Sequence, residues 1–342
     1  MSSRTLWLHF GIQKTGSSSF QFLLREHQEK LVESGIFYLD PYFCLSSNPW
    51  YSENITSRAF FEDKNFNQLW FDRSRLLSFR DYLLASVPVN AKHLILSNEN
   101  FYPFVSSSDR KRFSIKALKQ FAKDLGSEVR VVVYLRRQDE HLISYYQERV
   151  KASFRVNNAS REFLSLPANI DDYASAVTQT NYYDYFGQIS LLNKHFHVDV
   201  KLMEDEINRY GLMVSLCQSF QLPDFFSKLK ASKNISLEAH ATVALRRFLD
   251  YGHQSSLPQA KLLKGKNYLF KHYSNGRKLD LLLATKEAIM KQHHQANRVF
   301  LESQGCSTSA WLEPVKQSGL TVNQLDLEHV RSLYQSVLNF VR

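Results

Sequence analysis

Short, nearly continuous apolar runs at 6–10, 36–39, 93–97 and 129–135 punctuate the first half of the chain. Between them lie stretches whose apolar residues recur at helical spacing, which predict helices over 18–34, 73–86, 108–125 and 139–151. β-rich runs alternating with amphipathic helices predict an α/β fold: a three-layer sandwich with a central parallel sheet covered by helices. The run 129–135 is apolar apart from Arg130 and reads as a central strand buried on both faces. Further on the pattern changes. Residues 182–196 predict a helix and 198–203 one more strand, and the remainder reads as a helical C-terminal half with helices at 205–220, 237–251, 279–304 and 327–341. The stretch 43–67, rich in Ser, Asn and aromatics and without a period, predicts a long loop over one end of the sheet.

Composition narrows the class without choosing a function. With 342 residues, 44% hydrophobic and 22% charged, the chain has the make-up of a globular protein with a sizeable core. Its 43 basic and 33 acidic residues give a formal charge of +10, which favours anionic partners such as nucleotides, acidic glycans or nucleic acid. The basic residues are spread along the chain, so a folded basic face is expected in place of a disordered arm. Three cysteines, Cys44, Cys217 and Cys306, have no spacing that builds a disulfide framework or a zinc site. No apolar run reaches bilayer length and the first predicted strand begins by about residue 5, which together predict a cytoplasmic protein without a leader or membrane stem. The sequons at Asn54, Asn158 and Asn234 are read as chance.

Candidate chemistry sits where the first strand ends. The segment Leu8-His-Phe-Gly-Ile-Gln-Lys-Thr-Gly-Ser-Ser-Ser19 leaves a strand, passes Gly11 and Gly16 with Lys14 between them, and enters a helix through Ser17, Ser18 and Ser19. Glycines that let amides turn inward, a helix N-terminus with partial positive charge, and hydroxyl donors together make an anion cradle. A Walker A loop would carry lysine directly after the second glycine. Here that position is Ser17, and the lysine precedes Gly16 by two residues. A lysine in mid-turn is suited to neutralise charge growing on a leaving oxygen. His9 lies inside the strand and reads as a hydrogen-bonded core residue.

Taken together, His-x-Gly-x-x-Lys-Thr-Gly-Ser-Ser-Ser resembles the 5′-phosphosulfate loop of sulfotransferases that use 3′-phosphoadenosine 5′-phosphosulfate (PAPS). That resemblance implies a P-loop-like sulfotransferase fold and a single domain over 1–342, with a nucleotide-binding core at 1–205 and a helical acceptor or lid region at 206–342. It also implies PAPS as donor with no metal, the donor being held by Gln13, Lys14, Thr15, Gly16, Ser17, Ser18 and Ser19. The family grips the 3′-phosphate with an Arg after a buried strand and a Ser eight residues on, and Val131-Val-Val-Tyr-Leu-Arg-Arg-Gln-Asp-Glu-His-Leu-Ile-Ser144 has that form with Arg136 and Ser144. Gln138 replaces the proline the family often carries there, which leaves open whether Arg136 or Arg137 faces the ligand.

Past the third strand, Ser-Asn-Glu-Asn places Glu99 at a carboxyl strand end, where doubly wound sheets bind ligands. The resemblance implies that Glu99 is the catalytic base beside Lys14; His141, and after it His9, are reserve bases by their closeness in sequence to the proposed phosphate sites. Asn181-Tyr-Tyr-Asp-Tyr and Val198 to Asp205 resemble the family's Tyr-containing helix and the strand after it, a structural pair in which Tyr182, Tyr185 and Phe186 read as core. Lys261, Lys264 and Lys266, with Arg277 and Lys278, form a basic loop zone that either meets an anionic acceptor, covers the nucleotide, or is merely solvated. The implied acceptor is a carbohydrate or glycolipid hydroxyl, or an amine, and no nucleic-acid partner is expected. Two rivals make different demands: a kinase-like phosphotransferase would need ATP with Mg²⁺, and a non-enzymatic basic protein would bind nucleic acid in a salt-sensitive way. Against the kinase stands the end of strand 129–135 in Arg136 and Arg137, where an acidic residue commonly helps hold Mg²⁺.

Overall fold

The computed structural model describes residues 4–12, 14–39, 87–97, 119, 122–123, 127–152, 167, 169–178, 181–229, 236–306 and 309–341. Five strands, β1 (Arg4–Gly11), β2 (Ile36–Tyr38), β3 (His93–Ser97), β4 (Ser127–Leu135) and β5 (His197–Leu202), form an all-parallel sheet in the order β2-β3-β1-β4-β5. The fold is therefore α/β. In chain order the described helices are α1 (Ser17–Glu26), α2 (Gln28–Glu33), α3 (Gln138–Ala152), α4 (Ile170–Thr178), α5 (Tyr185–Asn193), α6 (Met203–Arg209), α7 (Leu212–Ser219), α8 (Asp224–Ser227), α9 (Ala239–Gln254), α10 (Gln259–His272), α11 (Leu283–Ser303) and α12 (Leu327–Val341). None of these is long and apolar enough to cross a membrane.

The chain clusters into two compact units, the first made of Met1–Arg136, Asp184–Ser232 and Phe300–Ala310, the second of Arg137–Tyr183, Lys233–Val299 and Trp311–Arg342. The first holds the whole sheet. One face of it, with Trp7, Ile95, Val132 and Tyr134, packs on Phe20 and Leu24 of α1 and on Leu216 and Phe220 at α7. Leu6, Leu8, Leu94, Leu96, Val131 and Val133 alternate with that face and are equally buried. Burial on both faces is why these strands read as apolar runs without a polar alternation.

Topology chooses the place for a ligand. From β1 the chain moves to β3's side of the sheet, whereas from β4 it moves to β5, so the carboxyl ends of β1 and β4 flank a switch point. Their register brings Gly11 opposite Tyr134, and the Ile12 amide donates to the Tyr134 carbonyl at 3.2 Å.

Several helices depart from the pattern-based bounds. The helix expected over 18–34 is broken at His27, whose ring meets Phe226 edge-on at 5.8 Å. The one expected over 205–220 is two, α6 and α7, parted at Gly211 with φ 83°. Apolar spacing carries through a break of one or two residues, so the period alone does not reveal it. Over 182–196, a 3-10 turn at Asn181–Tyr183 precedes α5, whose start is set by Asp184, its carboxylate accepting from the Gly187 amide at 2.9 Å.

In the second unit α9 packs on α3, α10 and α12, and α3 also on α4. The expected basic loop holding Lys261, Lys264 and Lys266 is instead helix α10. Its buried residues Leu262, Gly265 and Leu269 fall at helical spacing, and the lysines occupy the intervening positions, where their long side chains suit a helix. Lys264 Nζ lies 4.7 Å from the Phe340 ring centre. The fully buried Lys286 is matched by Asp280 at 2.9 Å, whose other oxygen accepts the Ser318 and Gly319 amides, both at 2.9 Å.

Candidate functional site

Local sequence shapes the turn after β1. Thr15 Oγ1 donates back to the Ile12 carbonyl at 2.8 Å, closing the loop on itself. Lys14 takes a left-handed φ of 71°, and Gly16, φ 86° and ψ 4°, caps α1 with no side-chain hydrogen bond of its own. A left-handed lysine is strained, and such strain gathers at functional turns. Helix α1 then begins with Ser17 buried, Ser18 exposed and Ser19 half-buried, and it has no acidic residue in its first turn. First-turn amides have no intrahelical acceptor, so this N-terminus brings donors and partial positive charge, with no carboxylate in its own first turn.

Gly11 is required by close approach. A Cβ there would lie 2.7 Å from Thr15 Oγ1, 3.2 Å from Ser17 Oγ and 3.4 Å from His9 Nε2. Gly11→Ala is expected to destabilise the protein by about 1–3 kcal/mol and to abolish the rise in melting temperature expected of the parent protein with pyrophosphate. Paired melts with and without pyrophosphate test this.

The second basic element lies beside the first. Arg136, directly after β4, directs Nη1 to the Lys14 carbonyl at 3.4 Å, and its Nε stands 3.5 Å from Glu204 Oε1 at the start of α6. Tyr185 Oη donates to the Arg136 carbonyl at 2.8 Å and so anchors the strand end. Two cationic residues 122 positions apart thus share the switch point within the first unit. No family model, curated protein or solved structure matches the chain. The chemistry of the site therefore rests on its own geometry.

Of the pair that the sequence left open, Arg137 is buried and forked onto Asp139, Nε to Oδ1 at 2.8 Å and Nη2 to Oδ2 at 2.9 Å. Arg136 is the arginine next to the loop. Ser144 lies on α3, in the second unit. Gln13 and Glu99 lie outside the described residues, as do the whole of 43–67 and of 73–86, most of 108–125, and Cys44. His141 is buried in the second unit, with Nδ1 at 2.7 Å from Tyr183 Oη and its ring stacked on Tyr145 at 5.4 Å. Tyr185 is core, as expected from its spacing, whereas Phe186 is exposed.

His9 belongs to the strand core. Phe20, Tyr134 and Phe220 surround its ring at 5.4–5.8 Å, and burial pushes its pKa down to about 3. A ring held neutral so strongly does not serve as a base that cycles through imidazolium. An unfolded histidine takes up a proton below about 6.5, and the folded one does so only near 3. Stability should therefore fall by about 1.4 kcal/mol per pH unit as pH drops below 6.5, and His9→Gln should flatten that limb. Urea midpoints between pH 7 and 5 measure it.

Three contributors escaped sequence reasoning. Glu204 was recoverable, because it follows the carboxyl end of β5 just as Glu99 follows β3. Tyr185 had the spacing of a core residue and no mark of its bond to Arg136. Gln21, which ties α1 to the end of β3 through Ser97, reads in sequence as an ordinary helix-surface residue.

Proposed function

We propose that the protein is a sulfotransferase that moves a sulfuryl group from PAPS to a hydroxyl of an acceptor, with a carbohydrate or glycolipid as the preferred class. The observation that carries this reading is Arg136 Nη1 at 3.4 Å from the Lys14 carbonyl, an arginine where an ATP-using P-loop enzyme commonly has a metal-binding acid. In this reading the loop amides, the serine hydroxyls and Lys14 hold the 5′-phosphosulfate, and Arg136 takes the 3′-phosphate, its planar fork suited to paired phosphate oxygens.

The reaction is an in-line displacement at sulfur. The acceptor oxygen forms a new bond to sulfur as the bond from sulfur to the phosphate oxygen breaks, and that oxygen leaves on 3′-phosphoadenosine 5′-phosphate (PAP). Lys14 and the α1 amides neutralise the charge growing on the departing oxygen. Glu99 is the proposed acceptor of the hydroxyl proton, a contribution of about two to four powers of ten in rate.

Thermal shift separates this reading from its rivals. PAP without metal should raise the melting temperature more than AMP, and more than ATP with Mg²⁺. Stabilisation by ATP with Mg²⁺ alone would replace it with the phosphotransferase reading.

A further inference from the structure

Beneath the loop a line of hydrogen bonds joins Gln21, Ser97 and His9. Gln21 Nε2 reaches the Ser97 carbonyl at 3.3 Å and the Ser97 hydroxyl at 3.2 Å. A carbonyl only accepts, so the amino end of the Gln21 amide faces Ser97 and donates to both oxygens. The Ser97 proton is then available for His9 Nδ1, 2.8 Å away. With the Ser97 hydroxyl as donor to Nδ1, the one proton of the neutral imidazole resides on Nε2, and this is the direction the proposal below takes.

That Nε2 is buried and has no hydrogen-bond partner among the described residues. It lies 3.4 Å from the point that a Gly11 Cβ would occupy, and Ser17 Oγ lies 3.2 Å from the same point, on the inner side of the loop. Thr15 gives its proton to Ile12, so across the 3.5 Å between Thr15 Oγ1 and Ser17 Oγ the serine is the donor.

We propose that His9 is a positioning residue for the anion: as the Nε2–H tautomer it donates to Ser17 Oγ when the loop is occupied, and Ser17 turns its own proton from Thr15 to an oxygen of the ligand. Gln21, Ser97, His9 and Ser17 then form a relay of donors pointing one way and ending on the anion. No proton changes owner. Anion binding supplies a partner that the buried Nε2–H lacks among the described residues, which adds to affinity at the loop. The inference rests on the reading that the loop holds a phosphate group, and it adds that the strand histidine senses whether one is there.

Two-bond ¹H–¹⁵N correlation spectra of the protein labelled in its histidines distinguish the tautomers. The unliganded protein should show His9 as Nε2–H, and titration with inorganic pyrophosphate, and separately with PAP, should shift that proton and slow its exchange. Ser97→Ala should mix the tautomers. His9→Phe should weaken both ligands about ten- to hundredfold, and His9→Gln, whose amide nitrogen reaches the place of Nε2, should recover affinity to within about threefold of the parent. An Nδ1–H tautomer in the unliganded protein overturns the proposal, even if the His9 variants fail to fold. PAP binding that leaves the Nε2 signal unmoved overturns it too, while sparing the sulfotransferase reading. Pyrophosphate that moves the signal when PAP does not bind sinks the sulfotransferase reading and leaves the role of His9 standing. If neither ligand binds, both fall.

Discussion

Replacing Lys14 with glycine is expected to yield a protein that is more stable and nearly inactive. Lys14 holds φ at 71°, a region that costs an L-residue about 1–2 kcal/mol and glycine almost nothing. Glycine returns part of that gain through its freer unfolded chain, which leaves a net stabilisation of about 0.5–1 kcal/mol. Turnover moves the opposite way. Without the ammonium group, the loop in the proposed reaction would face the departing phosphate oxygen with amides and hydroxyls alone, and a loss of about a hundred- to a thousandfold in kcat is expected. Lys14→Ala separates the two effects, because it removes the charge and keeps the strain. Urea unfolding together with turnover of PAPS on a panel of glycan acceptors measures both. Near-normal turnover in either variant removes Lys14 from the chemistry, and an unchanged unfolding midpoint in the glycine variant removes the strain.

Arg136→Ala is expected to weaken PAP by about ten- to a hundredfold and to leave AMP almost untouched, since a charge-assisted hydrogen bond to a phosphate contributes about 1.5–3 kcal/mol. The contrast between the ligands is the informative quantity. AMP has the 5′-phosphate that the loop would hold and lacks the 3′-phosphate assigned to Arg136. Arg136→Lys should fall between, since it keeps the charge and loses the planar fork. Calorimetric titration of both nucleotides decides it. Equal losses for PAP and AMP would mean that Arg136 shapes the loop through the Lys14 carbonyl and does not read the 3′ position.

Glu204 gives the same experiment a second use. Its Oε1 lies 3.5 Å from Arg136 Nε, so a phosphate arriving at the guanidinium would compete with a carboxylate for it. Glu204→Gln removes the competing charge and keeps the side chain's shape. PAP should then bind several-fold tighter, by about 0.5–1 kcal/mol, the range for a partly exposed ion pair. Weaker binding would assign Glu204 to orienting Arg136 in its productive direction.

The stretch 93–97 was legible as a strand to the residue, and 129–135 fell short of β4 only at its start, where Ser127 and Glu128 extend beyond the apolar run. Parallel strands covered on both faces leave unbroken apolar runs, and these are visible without any knowledge of what covers them. The loop was legible for a related reason: two glycines, a lysine and three serines follow an apolar run directly, and each acts through its own backbone or its nearest neighbours. Helix α10 was hidden because lysines at 261, 264 and 266 look like a solvated loop until Leu262 and Leu269 are known to be buried.

The chain's own pattern determined that a parallel α/β sheet forms, where its strands lie, and that the first of them runs through a glycine-, lysine- and serine-bearing turn into a helix. Tertiary structure alone decided that β4 lies against β1, that Arg136 and not Arg137 reaches the Lys14 carbonyl, and that Ser97 meets His9 across 88 residues. The reason is physical. Helical period, strand period and turn chemistry are properties of neighbouring residues, whereas strand order is settled by the burial of the whole sheet, to which no single segment contributes enough to reveal it.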